Sequence, residues 1–278
     1  MLIGLDDVKK RVRELVTSVK TEKQFYETVS NASPPCFHML FTGSLGTGKT
    51  TVARIIGTIF RENGLLRAGD LIEINRFDLV GKYIGHTGPK TVEICRSAFG
   101  SVLFIDEAYL LEGDNKDFGR EAIGALVSEM ENSRDKFMVI MAGYSDEMDS
   151  MLSSNPGLRD RIPHRLHFPN YSREELFNIF KMQTRNKYDC DETLLNAAEK
   201  FFKTLDDNFI NSKEFGNARF VRNLVERIRI KALMRRQGEI LSPDTLLLPL
   251  RAIDLESALA DEDILELNKK ERRKRIGF

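Results

Sequence analysis

The sequence predicts an α/β domain built on a five-stranded, mostly parallel sheet and followed by a small α-helical domain. Three observations carry this. Over the first 170 residues short apolar runs alternate with stretches of helical spacing, the pattern of a parallel sheet covered by helices on both faces. One such run leads directly into GSLGTGKT, residues 43–50, and then into a helical pattern, so strand, glycine-rich loop and helix follow in the order a phosphate-binding turn requires. After Pro169 the strand pattern stops and amphipathic helices take over.

Strands are expected at 38–42 (HMLFT), 71–75 (LIEIN), 102–106 (VLFID), 137–142 (FMVIMA) and 165–168 (RLHF). Each is a short, mostly apolar run of strand length. Helices are expected at 52–61, 91–98, 119–131 and 146–152, where apolar residues recur at helical spacing, with Ser145 placed to cap the last. Pro169 closes the fifth strand, and Ser172 with Glu175 forms an S-x-x-E capping box. Beyond it, 174–186, 192–205 and 218–236 read as amphipathic helices with little strand pattern between them. The domain boundaries that follow are 1–170, 171–265 and a charged tail at 266–278.

A chain of 278 residues, 41% apolar, can bury one large core or two ordinary ones. No run approaches the 18 apolar residues of a membrane span, and the N-terminus is too soon acidic for a secretion signal. A cytoplasmic protein is expected. Cys36, Cys95 and Cys190 are odd in number and widely spaced, which suits reduced thiols. His164 and His167 stand three apart in a strand, on opposite faces, a poor pair for a metal. With 42 basic and 42 acidic residues the chain is neutral, which argues against a nucleic acid bound over the whole surface. The basic segment 268–278, with six basic residues and one acid, reads as a solvated end.

GSLGTGKT satisfies G-x-x-x-x-G-K-[ST] at every fixed position, a match expected by chance in roughly one chain in a hundred of this length. In that geometry backbone N–H groups from Gly46, Thr47, Gly48, Lys49, Thr50 and Thr51 wrap the phosphates of a nucleoside triphosphate at a helix N-terminus. Lys49 reaches the β and γ phosphates, and the Thr50 hydroxyl takes a place on Mg²⁺. The run 102–107, VLFIDE, ends a strand in two acids 57 positions after Lys49. Asp106 is then expected to hold Mg²⁺, and Glu107 to act as general base on the attacking water.

Together with the segments below, these two motifs resemble AAA+ ATPases of the CbbX/CfxQ family over nearly the full length. The resemblance implies an AAA+ fold and places Ile3 and Gly4, in LIGL followed by Val8 and Lys9, over the adenine. Family members usually have sequence before that segment; here it begins at the second residue, which suggests a domain or last module of a longer protein. DLVGKYIGHTGPKT, 78–91, is similar to the family's first pore loop. From the residues alone Tyr83 is either a contact residue or a loop aromatic folded onto the core, and the resemblance assigns Tyr83, Ile84 and Gly85 to gripping a protein client. NPGLRDR, 155–161, resembles the arginine-finger segment, with Arg161 favoured over Arg159 for reaching a neighbour's γ-phosphate. A head-to-tail, hexameric ring is thereby implied. GNARF, 216–220, resembles the sensor that would bring Arg219 to the phosphates of its own subunit. Where most AAA+ proteins carry a water-orienting Asn, this chain has Ala142-Gly143-Tyr144-Ser145, which leaves Tyr144 and Ser145 open as polar sensor. The activity implied is ATP-driven remodelling of a protein client of unspecified identity. The alternative is a nucleotide-gated assembly module with little force generation.

Overall fold

The computed structural model describes residues 2–28, 36–83, 85–112, 118–213, 215–236 and 247–261. They divide into two compact units, one formed from Leu5–Gly43 and Gly48–Phe168, the other from Met1–Gly4, Ser44–Thr47 and Pro169–Phe278.

The first unit contains a five-stranded sheet whose members all pair in parallel: β1 (Met39–Gly43), β2 (Leu71–Ile74), β3 (Val102–Ile105), β4 (Met138–Gly143) and β5 (His164–Phe168), in the order β2-β3-β4-β1-β5. β3 and β4 are buried at every residue, which is why they read as unbroken apolar runs without alternation. The helices are α1 (Asp6–Thr28), α2 (Lys49–Glu62), α3 (Arg76–Leu79), α4 (Thr87–Ser97), α5 (Phe118–Asn132), α6 (Ser145–Ser154) and α7 (Pro156–Arg159), with a 3₁₀ turn over Ala108–Glu112. Leu40, Leu103, Ile105, Val139 and Met141 pack with Cys95, Leu126, Met148 and Met151 in one apolar core. Successive strand side chains alternate faces, and Phe41 meets Phe168 with ring centroids 5.0 Å apart.

His38, fully buried, ties three elements together. Its Nδ1 accepts the Val139 N–H at 3.0 Å, so Nε2 carries the proton and donates to the Met130 carbonyl at 3.1 Å. Burial pulls its pKa from 6.5 to about 4, with the Met130 bond opposing. The chain leaves β1 towards the β2 edge and returns through β3 and β4 before crossing to β5. The strand order therefore reverses beside β1, the kind of switch point at whose carboxyl ends open α/β sheets bind ligands.

In the second unit α8 (Arg173–Thr184) opens on the expected capping box: Ser172 accepts from the Glu175 N–H and the Glu175 carboxylate from the Ser172 N–H. α9 (Glu192–Lys203), α10 (Asp207–Ile210), α11 (Ala218–Arg235) and α12 (Ala252–Leu259) follow. Phe209, Phe215 and Phe220 interlock, Phe209 and Phe215 at 5.0 Å, while Phe202 of α9 meets Phe180 of α8 at 5.9 Å.

Three local expectations need correction. Ser145 does not cap α6 but is its first residue; Tyr144 is the N-cap, and its side chain does not cap the helix. The helical unit contains a two-stranded parallel pairing, β6 (Tyr188–Cys190) with β7 (Leu248–Leu250), where the sequence reading saw little strand pattern. The 23-residue α1 was not anticipated, although its buried stripe Val8, Val12, Leu15 and Val19 has helical spacing. The tail at 266–278 and Ile84 lie outside the described residues.

Candidate nucleotide site

β1 ends at Gly43, whose φ of 143° and packing admit no side chain: a Cβ there would lie 2.2 Å from the Phe168 carbonyl oxygen. The loop then turns through Gly46 (φ 70°) and Gly48 (φ 95°), left-handed conformations that only glycine adopts without penalty. Gly48 is the N-cap of α2 and gives no side-chain cap, and the first turn of α2 carries no acid. What stands there is Lys49, 8% exposed, donating from Nζ to the Gly43 carbonyl at 2.8 Å. A buried cation at a helix N-terminus opposes the helix dipole. The donor set of uncapped N–H groups and an ammonium thus fits a multiply charged anion. The Thr50 and Thr51 hydroxyls bond to no described residue, while the buried Thr47 donates to the Ser44 carbonyl at 2.8 Å.

β3 delivers Asp106, whose N–H bonds to the Ile74 carbonyl at 3.0 Å and whose Oδ1 accepts the Glu107 N–H at 3.1 Å. Glu107 has φ 48°, a left-handed conformation that costs a non-glycine residue about 1–2 kcal/mol. Its carboxylate accepts a hydrogen bond from the Tyr109 hydroxyl at 3.3 Å. Burial, and then the Glu107 charge, push the Tyr109 phenol up to about 12. Tyr109 in turn packs beside Tyr144, ring centroids 6.1 Å apart. Gly48, Lys49, Thr50, Thr51, Asp106 and Glu107 thus stand at the carboxyl ends of β1 and β3.

Arg161 stands at the other end of the sheet, just before β5 and beside Cys36, whose Sγ donates to its carbonyl at 3.4 Å. Its Nε lies 3.1 Å from Glu131 Oε2, an ion-pair distance without hydrogen-bond geometry, and NH1 donates to the Gly157 carbonyl at 2.9 Å. Arg159 is more exposed and, among the described residues, its side chain pairs with Asp160 alone, at 3.8 Å. Tyr83 is 67% exposed, with the edge of its ring 5.5 Å from that of His86, centroid to centroid. Gly85 has φ 81° and nothing within 4 Å of a Cβ position.

In the second unit Ile3 leads into a backbone reversal at Gly4 (φ 59°), where a Cβ would sit 1.8 Å from Glu175 Oε1. Arg219, in the first turn of α11, is exposed and pairs with no described residue. Two residues that the sequence reading missed hold this unit's loop segment, Ser44–Thr47. Asn217, fully buried, donates to the Leu45 carbonyl at 3.1 Å and to Asn170 Oδ1 at 3.0 Å while accepting the Tyr171 N–H at 3.0 Å. The Tyr171 hydroxyl donates to the Thr47 carbonyl at 3.1 Å, and the Ala218 N–H to the Gly46 carbonyl at 3.1 Å. Burial, then the Glu175 charge, push Tyr171 up to about 12, so the phenol remains a donor.

A parallel sheet of this order, with a buried lysine behind one strand and paired acids behind another, defines a nucleoside-triphosphate-hydrolysing domain of the AAA class. Residues 39–170 match the ATPase family associated with various cellular activities (AAA), and residues 172–264 match the AAA lid domain. The chain belongs to the CbbX/CfxQ family of AAA ATPases. It is 44% identical over 236 residues to a chloroplastic ribulose bisphosphate carboxylase/oxygenase activase of Cyanidioschyzon merolae, covering 84% of this chain and 80% of that one. It is 42% identical over 265 residues to CbbX of Cereibacter sphaeroides, covering 95% and 82%. With stage V sporulation protein K of Bacillus subtilis it shares 42% over 241 residues, covering 86% and 74%. A chain solved in work on katanin self-assembly has the same fold, with TM-score 0.63 at 21% identity over 94% of this chain and 82% of that one. Among the described residues no helix is long and apolar enough to cross a membrane.

Proposed function

We propose that this ATPase remodels a protein client, acting in the cytoplasm as a hexameric ring whose ATP sites lie at subunit interfaces. Gly46, Thr47, Gly48, Lys49, Thr50 and Thr51 hold the phosphates, and Ile3 and Gly4 lie over the adenine. Thr50, with a hydroxyl bonded to no described residue, and Asp106, with one carboxylate oxygen still open, suit a Mg²⁺ ion. Bound there, the ion would offset charge on the phosphates. Glu107 takes the proton of the attacking water. Arg161 stabilises the phosphoryl group of the adjacent copy, and Arg219 answers to its own nucleotide. Tyr83, with Ile84 and Gly85, grips the client.

The observation that carries the reading is that Arg161 stands at the opposite end of the sheet from Lys49 and Glu107, which favours action on another copy's ATP over action on its own. The names of the relatives, an activase among them, support remodelling of a protein client. The test separates binding from chemistry. Lys49→Ala should lose ATP affinity. Glu107→Gln should keep it, lose turnover by about two to four orders of magnitude, and retain a client in pull-down with ATP. Equal loss of ATP binding in both variants would overturn this division of roles.

A further inference from the structure

We propose that Tyr109 is a positioning residue for Glu107, and that the Tyr109–Tyr144 pair does here the orienting work for which the strand β4 terminus carries no asparagine. The inference rests on Glu107 being the general base.

The argument begins with how firmly Tyr109 is held. It sits in the 3₁₀ turn Ala108–Glu112, whose carbonyl at Leu110 accepts from Arg76 NH1 at 2.7 Å and whose Glu112 carboxylate accepts from Asn155 Nδ2 at 2.9 Å. The turn is thus tethered from α3 on one side and from the residue between α6 and α7 on the other. A ring fixed in this way has little choice of hydrogen-bond partner, and its hydroxyl donates to Glu107 Oε1 at 3.3 Å. Glu107 needs such a guide. Its backbone is in a left-handed conformation at φ 48°, and a carboxylate on a flexible stem would otherwise sample several orientations, few of them facing water.

Gly143, last residue of β4, makes room for the ring. A Cβ at that position would fall 2.7 Å from Tyr109 Cδ1 and 2.7 Å from Met148 Sδ, so an asparagine there would displace the tyrosine. The next residue, Tyr144, closes the other side of the ring at 6.1 Å between centroids. The sequence Gly143-Tyr144 therefore does two things: it removes a polar side chain from the end of β4, and it builds the seat of a phenol that reaches the base. Burial keeps that phenol protonated far above neutral pH, so it serves as donor and not as a second base.

The test is Tyr109→Phe, which keeps the ring and its packing and deletes one hydroxyl. Steady-state kcat should fall about tenfold, a modest loss for a reacting group let slip from its productive geometry, while ATP affinity and melting temperature stay within error of the parent. A purely structural tyrosine would show a lowered melting temperature or weaker ATP binding instead. The decisive measurement repeats the substitution in a Glu107→Gln protein under single-turnover conditions. If Tyr109 acts through Glu107, the double variant hydrolyses ATP at the same residual rate as Glu107→Gln alone. A further tenfold loss there, or an unchanged kcat in Tyr109→Phe alone, overturns the inference. Full turnover in Glu107→Gln overturns the assignment of the base on which it rests.

Discussion

Arg161 offers a decision between two magnitudes. In the single chain it lies 3.1 Å from Glu131 with both side chains partly exposed, 30% and 47%, and such pairs contribute about 0.2–1 kcal/mol to stability. An arginine acting on a transferring phosphoryl group supplies about 10³- to 10⁵-fold in rate, which is about 4–7 kcal/mol. The intrachain pair is therefore weak enough to be given up for a neighbour's ATP, as the proposed role requires. Arg161→Ala should lower kcat by at least about 10³-fold yet shift the melting temperature by no more than about 4 °C. Mixing it with Glu107→Gln, each nearly silent alone, should restore ATPase activity at interfaces that join an intact Arg161 to an intact Glu107. The assay is phosphate release at constant total protein, with mixed assemblies verified by two distinguishable tags. Absence of recovery in verified mixed rings would refute action in trans. Full activity in Arg161→Ala with loss in Arg159→Ala would transfer the role to the other arginine.

Tyr83→Ala should leave the fold and basal ATP binding intact and abolish client remodelling, whereas Tyr83→Phe, which keeps the apolar ring, should be mild; normal remodelling by Tyr83→Ala would favour a nucleotide-gated assembly module. His38 predicts an acid sensitivity of the fold. Because its folded pKa of about 4 lies below its ordinary 6.5, the unfolded chain binds the extra proton between those values. Stability should then be complete above pH 6.5 and fall by about 3 kcal/mol as the pH drops to 4. Chemical denaturation of wild type and His38→Gln over that range checks this, and equal slopes would show that His38 is not the titrating group.

The strands of the large unit were legible to within a residue or so because β1, β3 and β4 are interior strands, and a strand buried on both faces must be apolar throughout. β6 and β7 were illegible for the opposite reason. Each is three residues long, and Tyr188 pairs with Leu248 across 60 positions of sequence, so neither segment carries a period long enough to register. The stripe of α1 was present in the sequence, at Val8, Val12, Leu15 and Val19, and was overlooked among charged neighbours. Ser145 failed as a cap because cap preference describes residue types, whereas the last residue before α6 is decided by where β4 ends.

The candidate site divides along the same line. The placement of Lys49, Asp106 and Glu107 just beyond β1 and β3 could be read because the motifs fix residue types relative to a strand end. Asn217 and Tyr171 could not. Asn217 bonds to Leu45 across 172 positions, and its φ of 48° and ψ of −122° describe a backbone reversal that a sequence shows only as GNA. Tyr109 is the intermediate case, two residues from Glu107 and yet invisible as its partner. In a strand or an α-helix residues two apart face away from a common point or lie along one face; only the tight turn after β3 brings the hydroxyl back to the carboxylate. The want of an asparagine was visible in Ala142-Gly143-Tyr144-Ser145, and what it signified required knowing which side chain fills the space beside Gly143.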